Sequence, residues 1–147
     1  MRAPSAARLR GALAGAVAAG SCAAALAACG GVKAADLFQV TRTGSGRNAD
    51  LTLLIDEEGG VSCNGGPTLK LSDPQLVQAH AIQEELLKPS SANLRLAPRP
   101  GSVLSYRVRD EAGMVAFSDN SLGQPHVLYQ LALFVLQVAQ QVCHLSS

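Results

Sequence analysis

The sequence predicts an α+β domain, an antiparallel sheet in ββ(β)αββα order with two helices packed on one face. Three observations predict it. Short segments alternate apolar and polar side chains with a period of two, most plainly Leu104, Tyr106 and Val108 against Ser105, Arg107 and Arg109. Two longer segments, one after Ser72 and one from about Pro125, repeat their apolar residues at helical spacing. The order of hairpin then helix also occurs twice. An offset of 54 residues lays Asp56-Glu57-Glu58-Gly59-Gly60-Val61 over Asp110-Glu111-Ala112-Gly113-Met114-Val115, and the first helix over the second.

Ahead of this domain, Met1 to Arg10 carries Arg2, Arg8 and Arg10 with no acidic residue, and Gly11 to Ala28 is almost wholly Ala, Gly, Leu and Val. A basic stretch followed by an apolar run is the layout of an export signal, and 18 residues rich in Ala and Gly are marginal against the roughly 20 apolar residues of a spanning helix. The run closes on Leu26-Ala27-Ala28-Cys29 and opens onto Gly30-Gly31. This stretch resembles the lipobox of bacterial lipoproteins. The resemblance implies a diacylglyceryl group on the Cys29 thiol, cleavage after Ala28, and attachment to the cell membrane with the folded part on the extracytoplasmic side. Two acyl chains such as palmitate, at about 0.8 kcal/mol per buried methylene, anchor stably where one is marginal. Residues 1–28 are then the signal, 29–36 the lipidated anchor and linker, and 37–147 a single domain. Two alternatives stand beside this one: an ordinary thiol at Cys29 after a non-lipid A-x-A signal, and lipidation of Cys22, whose preceding Ala19-Gly20-Ser21 lacks the leucine.

Without the three signal arginines the chain keeps 9 basic against 11 acidic residues, a net charge of −2. No basic stripe points to nucleic acid. The aromatics are Phe38, Tyr106, Phe117, Tyr129 and Phe134, with no Trp, so stacking platforms are scarce and the core is expected to be Leu, Val and Ala. After Cys29 only Cys63 and Cys143 remain. In an oxidising compartment two cysteines read first as one disulfide, whose loop of about 80 residues gives a chain-entropy stabilisation of roughly 4 to 5 kcal/mol. A metal site or a nucleophile are the alternatives, but neither cysteine belongs to a C-x-x-C pair.

Within the domain, Leu37 to Thr43 alternates Phe38 and Val40 with polar neighbours and predicts a strand; Gly44-Ser45-Gly46-Arg47-Asn48 turns it into a second, Leu51 to Ile55. Asp56 to Gly60 turns again into Val61-Ser62-Cys63, which Asn64-Gly65-Gly66-Pro67 breaks. Ser72-Asp73-Pro74-Gln75 opens a helix, with Gln75 placed for a capping box and Pro74 in the first turn. Leu76, Ala79, Ile82, Leu86 and Leu87 share one face, and the helix is expected to end at Lys88, before Pro89. Ser90 to Gly101 reads as a loop long enough to be mobile or functional. Val103 to Arg109 and Met114 to Ser118 form a hairpin around Asp110-Glu111-Ala112-Gly113. The last helix, to Cys143, puts Leu128, Leu131, Ala132, Val135, Val138, Ala139 and Val142 on one face, with Leu133, Phe134 and Leu136 spilling beyond it.

The search for chemistry returns no G-x-S-x-G, no H-E-x-x-H and no P-loop. Asp56, Glu57 and Glu58 sit side by side in a Gly-flanked turn, which is a solvated arrangement rather than the wider spacing calcium needs. His80 and His126 have no second histidine or cysteine at metal-binding spacing. The sequence therefore assigns no catalytic residue, metal or cofactor, and a non-enzymatic binding module for a protein or envelope component is expected; an enzyme whose site is assembled from residues that the sequence does not pair is an alternative. Arg107 and Arg109, on one face of their strand, are the candidate contacts together with the Ser90 to Gly101 loop; a solvated sheet face is the plainer account of the same arginines.

Two further resemblances come from the strings themselves. Thr41-Arg42-Thr43-Gly44, Leu51-Thr52-Leu53 and Ser105-Tyr106-Arg107-Val108, in this element order across residues 38–142, look like emfourin, a bacterial protein inhibitor of thermolysin-type metalloproteases. That likeness implies a turn such as Gly44 to Asn48 entering an enzyme cleft. The anchor and the cysteines depart from it, and no inhibitory residue is carried over. The Ala/Arg-rich signal with Ser62-Cys63-Asn64-Gly65-Gly66 resembles uncharacterised lipoproteins of high-GC Gram-positive bacteria, a likeness that implies no activity.

Overall fold

Strands form where branched and aromatic side chains alternate with polar ones. The computed structural model, which describes residues 35–145, gathers six of them into one antiparallel sheet. They are β1 (Asp36–Gly44), β2 (Leu51–Asp56), β3 (Gly60–Cys63), β4 (Thr68–Lys70), β5 (Leu104–Arg109) and β6 (Met114–Ser118), with α1 (Asp73–Ser91) after β4 and α2 (His126–Gln141) last. The order β4-β3-β2-β1-β5-β6 puts β1 between the two hairpins. This is the expected α+β architecture, with β4 as an added edge strand. Sequence periodicity does not reveal β4, because its three residues are all exposed and show no alternation of burial. The segment expected to be an export signal, and Cys29, lie outside the described residues.

The internal repeat is physical. Asp56 Oδ1 accepts the backbone N–H groups of Glu58 at 3.0 Å and Gly60 at 2.7 Å. Fifty-four residues on, Asp110 Oδ1 accepts those of Ala112 and Gly113, each at 2.9 Å. One aspartate thus closes each hairpin by mimicking a backbone turn. At the second, Gly113 has φ +155, and a Cβ there would lie 2.3 Å from the Ser90 carbonyl oxygen, so the hairpin can press onto the end of α1 only with glycine in place.

Alternation sends Phe38 and Val40 of β1, Leu51, Leu53 and Ile55 of β2, Val108 of β5, and Val115 and Phe117 of β6 into one core. Both helices cover that face: Ala79, Ile82 and Leu86 of α1 and Val127, Leu128, Leu131, Phe134, Val135, Val138 and Ala139 of α2 belong to the same cluster. Gln75 Nε2 donates to Gln141 Oε1 at 3.0 Å, so the start of α1 lies beside the end of α2. Gln75 also reaches back to accept the Ser72 N–H at 2.9 Å, as the capping sequence anticipates. One helix assignment needs correction. Phe134 lies at the centre of the buried stripe rather than beyond it, fully buried and edge-on to Phe38 at 6.4 Å between ring centroids, while Leu133 and Leu136 do stand outside. Its positions i−3 and i+4, Leu131 and Val138, are buried with it, so the helical repeat itself contains the reason.

A second correction concerns the end of α1, which runs through Pro89 to Ser91 rather than stopping at Lys88. Proline removes one intrahelical bond and crowds the preceding turn. Burial and bonding of the next residue offset this: Ser90 is fully buried and its Oγ donates to Asp110 Oδ2 at 2.5 Å. Leu94 N–H then bonds the Pro89 carbonyl at 3.0 Å and closes the helix. The following segment is correspondingly not a free loop. Residues 94–96 run along β6, with the Ala116 N–H donating to Leu94 and the Leu96 N–H to Ala116, both at 2.9 Å. Exposed edges of sheets invite pairing with other chains, and this strip covers one of them.

The Sγ atoms of Cys63 and Cys143 are at disulfide distance, 2.02 Å, with Cα atoms 6.0 Å apart. The link fastens β3 to the chain just beyond α2.

Candidate functional site

With both helices on one side, the other side of the sheet carries the alternate residues of each strand, mostly polar on β1 and β5. Register makes rows of it. Thr52, Thr41, Arg107 and Ala116 lie abreast on β2, β1, β5 and β6, and Leu54, Gln39, Arg109 and Met114 form the next row. Arg107 and Arg109 are both exposed and stand on adjacent rows of this open face. Each borders a shallow hollow. One, of about 280 Å³, gathers Arg107 with the hydroxyl residues Thr41, Thr43, Ser105 and Ser118, and its rim is Leu96 and Pro98 from the strip beside β6. The other, of about 270 Å³, places Arg109 with Gln39, Leu54, Asp110 and Glu111. The first combines a guanidinium fork with hydroxyl donors and no lining carboxylate, which suits an acceptor-rich ligand. The second mixes charges of both signs.

The structure therefore joins Arg107 to the Ser90 to Gly101 segment, through Leu96 and Pro98, whereas Arg109 borders a separate hollow on the same face. The histidines stay apart from it. His80 is exposed, with Nε2 3.3 Å from the Glu57 carbonyl oxygen. His126 starts α2 and shares an open groove of about 460 Å³ with Glu85, Lys88 and Pro89 of α1. Among the described residues no group of three or more His, Cys, Asp or Glu side chains is arranged to hold a metal ion. Also among the described residues, no helix is long and apolar enough to cross a membrane.

Arg42 is the residue that sequence reading passed over. It continues the Phe38, Val40 series on the core side of β1, lies abreast of Leu51 and Tyr106, and is only 7 % exposed. Its Nε donates to the Ala49 carbonyl and its Nη2 to the Asn48 carbonyl, both at 2.9 Å, and it also bonds the Tyr106 hydroxyl. All three partners are neutral. Burial raises the Tyr106 phenol above its ordinary value, an effect the adjacent Arg42 charge partly opposes, so the phenol stays protonated at neutral pH. Tyr106 stacks in turn on Phe117, with centroids 4.9 Å apart. The signal was legible: period-two alternation counted two residues past Val40 puts an arginine where an apolar side chain belongs.

The turn above Arg42 is held from several sides. Besides the two arginine bonds, the Ser45 N–H donates to the Val103 carbonyl at 3.2 Å and the Gly44 N–H to Asp50 Oδ1 at 3.4 Å. Val103 is itself fixed by Asp119, whose Oδ2 accepts its N–H at 3.1 Å while Oδ1 accepts the Ser102 hydroxyl at 2.8 Å. Desolvation pushes the Asp119 carboxyl up, and hydrogen bonds from Ser102 and from the Val103, Leu104 and Asn120 backbone together outweigh it and hold the group below its ordinary range.

Compared with protein-family models, with curated proteins and with solved structures, the chain matches none.

Proposed function

We propose that the chain is a lipid-anchored extracytoplasmic binding module that recognises a protein or envelope component through the open face of its sheet. The observation that carries this reading is the pairing of a fully covered face with an uncovered one, on which Arg107 and a ring of hydroxyl groups border one hollow and Arg109 borders the next. Arginine forks and hydroxyls donate, so the ligand is rich in acceptors such as carboxylates, phosphates or sugar oxygens. The full-length chain is expected to retain a specific envelope component on affinity capture, and the double change Arg107→Glu, Arg109→Glu to abolish that retention without altering thermal stability. Retention unchanged by the charge reversal would remove the arginines from the site.

Anchoring through Cys29 is supported by the basic segment, the apolar run and Leu26-Ala27-Ala28-Cys29. Intact mass of the membrane fraction is expected to show a chain beginning at Cys29 and carrying acyl chains. The Cys29→Ala variant is expected to leave the membrane; a lipid-free mature terminus, or a variant that stays bound, contradicts the anchor.

A second reading, inhibition of a thermolysin-type metalloprotease, is favoured by one observation: the Gly44 to Asn48 turn is pinned by Arg42 from below and by Val103 from the side. Loops held in one conformation before binding lose little entropy on entering a cleft. This reading expects stoichiometric loss of protease activity on mixing, relieved by Arg42→Ala. Full protease activity at a molar excess of the chain rules it out.

A further inference from the structure

Beneath the Gly44 to Asn48 turn, on the helix-covered side of the sheet, lies a cleft of about 220 Å³. One wall is the buried Arg42, with the exposed Arg47 also lining the cleft; the other is apolar, made by Val103, Leu104, Leu136 and Leu145. A guanidinium withdrawn from water gives up strong hydration, and neutral carbonyl and phenol partners return only part of it. The bonds to Ala49, Asn48 and Tyr106 leave part of its five-donor fork for a further acceptor. We propose that this cleft is a binding site for a small carboxylate bearing a short apolar chain, the carboxylate on Arg42 and the chain against Leu136 and Leu145.

The size and polarity of the cleft restrict the ligand. Pockets for drug-sized ligands run to roughly 300 to 1,000 Å³, so this smaller space suits one head group and one short branch or chain. Phosphate esters of large head groups are too big, and a purely apolar molecule would leave the buried charge as it is. The shared chemistry has two sources, the C-terminal residue of a peptide with an apolar side chain or a free short-chain fatty acid. The site is separate from the open sheet face and does not depend on the function proposed for that face.

Ligand-observed NMR on the full chain, with N-acetyl-leucine, its neutral amide and hexanoate as probes against a detergent blank, tests the assignment. N-acetyl-leucine or hexanoate is expected to bind saturably, and N-acetyl-leucinamide at least tenfold more weakly. The tighter of the two acids identifies the source, a chain terminus or a free acid. Arg42→Gln is expected to abolish the preference for the acid. Because that residue also braces the turn, the decisive variant is Leu136→Glu, at a position 41 % exposed, where a carboxylate added at the cleft is expected to weaken acid binding tenfold or more. Equal binding of acid and amide, no saturable binding of either acid, or unchanged affinity in Leu136→Glu overturns the proposal.

Discussion

Replacing Phe134 with alanine is expected to destabilise the domain by about 3 to 5 kcal/mol, the range for removing a large aromatic from a closed core. Phe134 is fully buried and meets Phe38 edge-on, so it joins the middle of α2 to the central strand of the sheet. Phe38 stands on β1, which is paired on both sides by β2 and β5, so its backbone is poorly placed to close over the space left behind. Domains of this size have roughly 5 to 15 kcal/mol in total, so the change removes a large share. Urea unfolding gives the value directly. Leu133→Ala, one residue earlier and 60 % exposed, is the matched control, with an expected effect within about 0.5 kcal/mol. Comparable losses at both positions would mean that α2 turns a different face to the sheet.

Opening the Cys63 to Cys143 link is expected to have an effect of similar size. The two residues are 80 apart in sequence, and the loop-closure entropy withheld from the unfolded chain corresponds to about 4 to 5 kcal/mol. In the double variant Cys63→Ser, Cys143→Ser the melting temperature should fall by roughly 10 to 20 °C, and reductant should reproduce the fall in the parent chain while leaving the variant unchanged. The stabilisation acts mainly through the unfolded state. The native β3 and α2 should therefore keep their contacts in the variant at low temperature, which near-ultraviolet circular dichroism reports. A parent chain whose melting temperature ignores reductant would show that the thiols are not linked in the folded protein.

Local periodicity carried most of this architecture. Alternation in Leu104 to Arg109 separated the covered face from the open one, the two aspartate-closed hairpins appeared as a 54-residue echo, and Ser72 to Gln75 marked the start of α1. Phe134 was misplaced although the helical repeat holds its position; the other two misreadings are places where long-range contacts override a local rule. Pro89 should end a helix, yet the Ser90 to Asp110 bond, made to a hairpin 20 residues away, carries α1 one turn further. β4 exists because β3 offers it an edge, with Val61 opposite Leu69, and nothing inside Thr68-Leu69-Lys70 announces a strand. For the candidate site, the strand alternation gave Arg107 and Arg109 a common face, but Thr41 and Thr43 join Arg107 only through the register of β1 with β5, which is set across 60 or more residues. Arg42 shows the converse. Its core-side position followed from simple counting, whereas its neutral partners could be seen only once the 44–50 turn had folded back over it.

The proposed division of the domain into a structural helix face and a recognising sheet face is tested most directly by site-specific photo-crosslinking in intact cells. A photoreactive side chain placed at Thr41, beside Arg107 on the open face, is compared with one at Glu84, exposed on α1. The account predicts a discrete adduct from Thr41, lost when Arg107 and Arg109 are both changed to glutamate, and none from Glu84. A discrete adduct from Glu84 with none from Thr41, or a Thr41 adduct indifferent to the charge reversal, would contradict it.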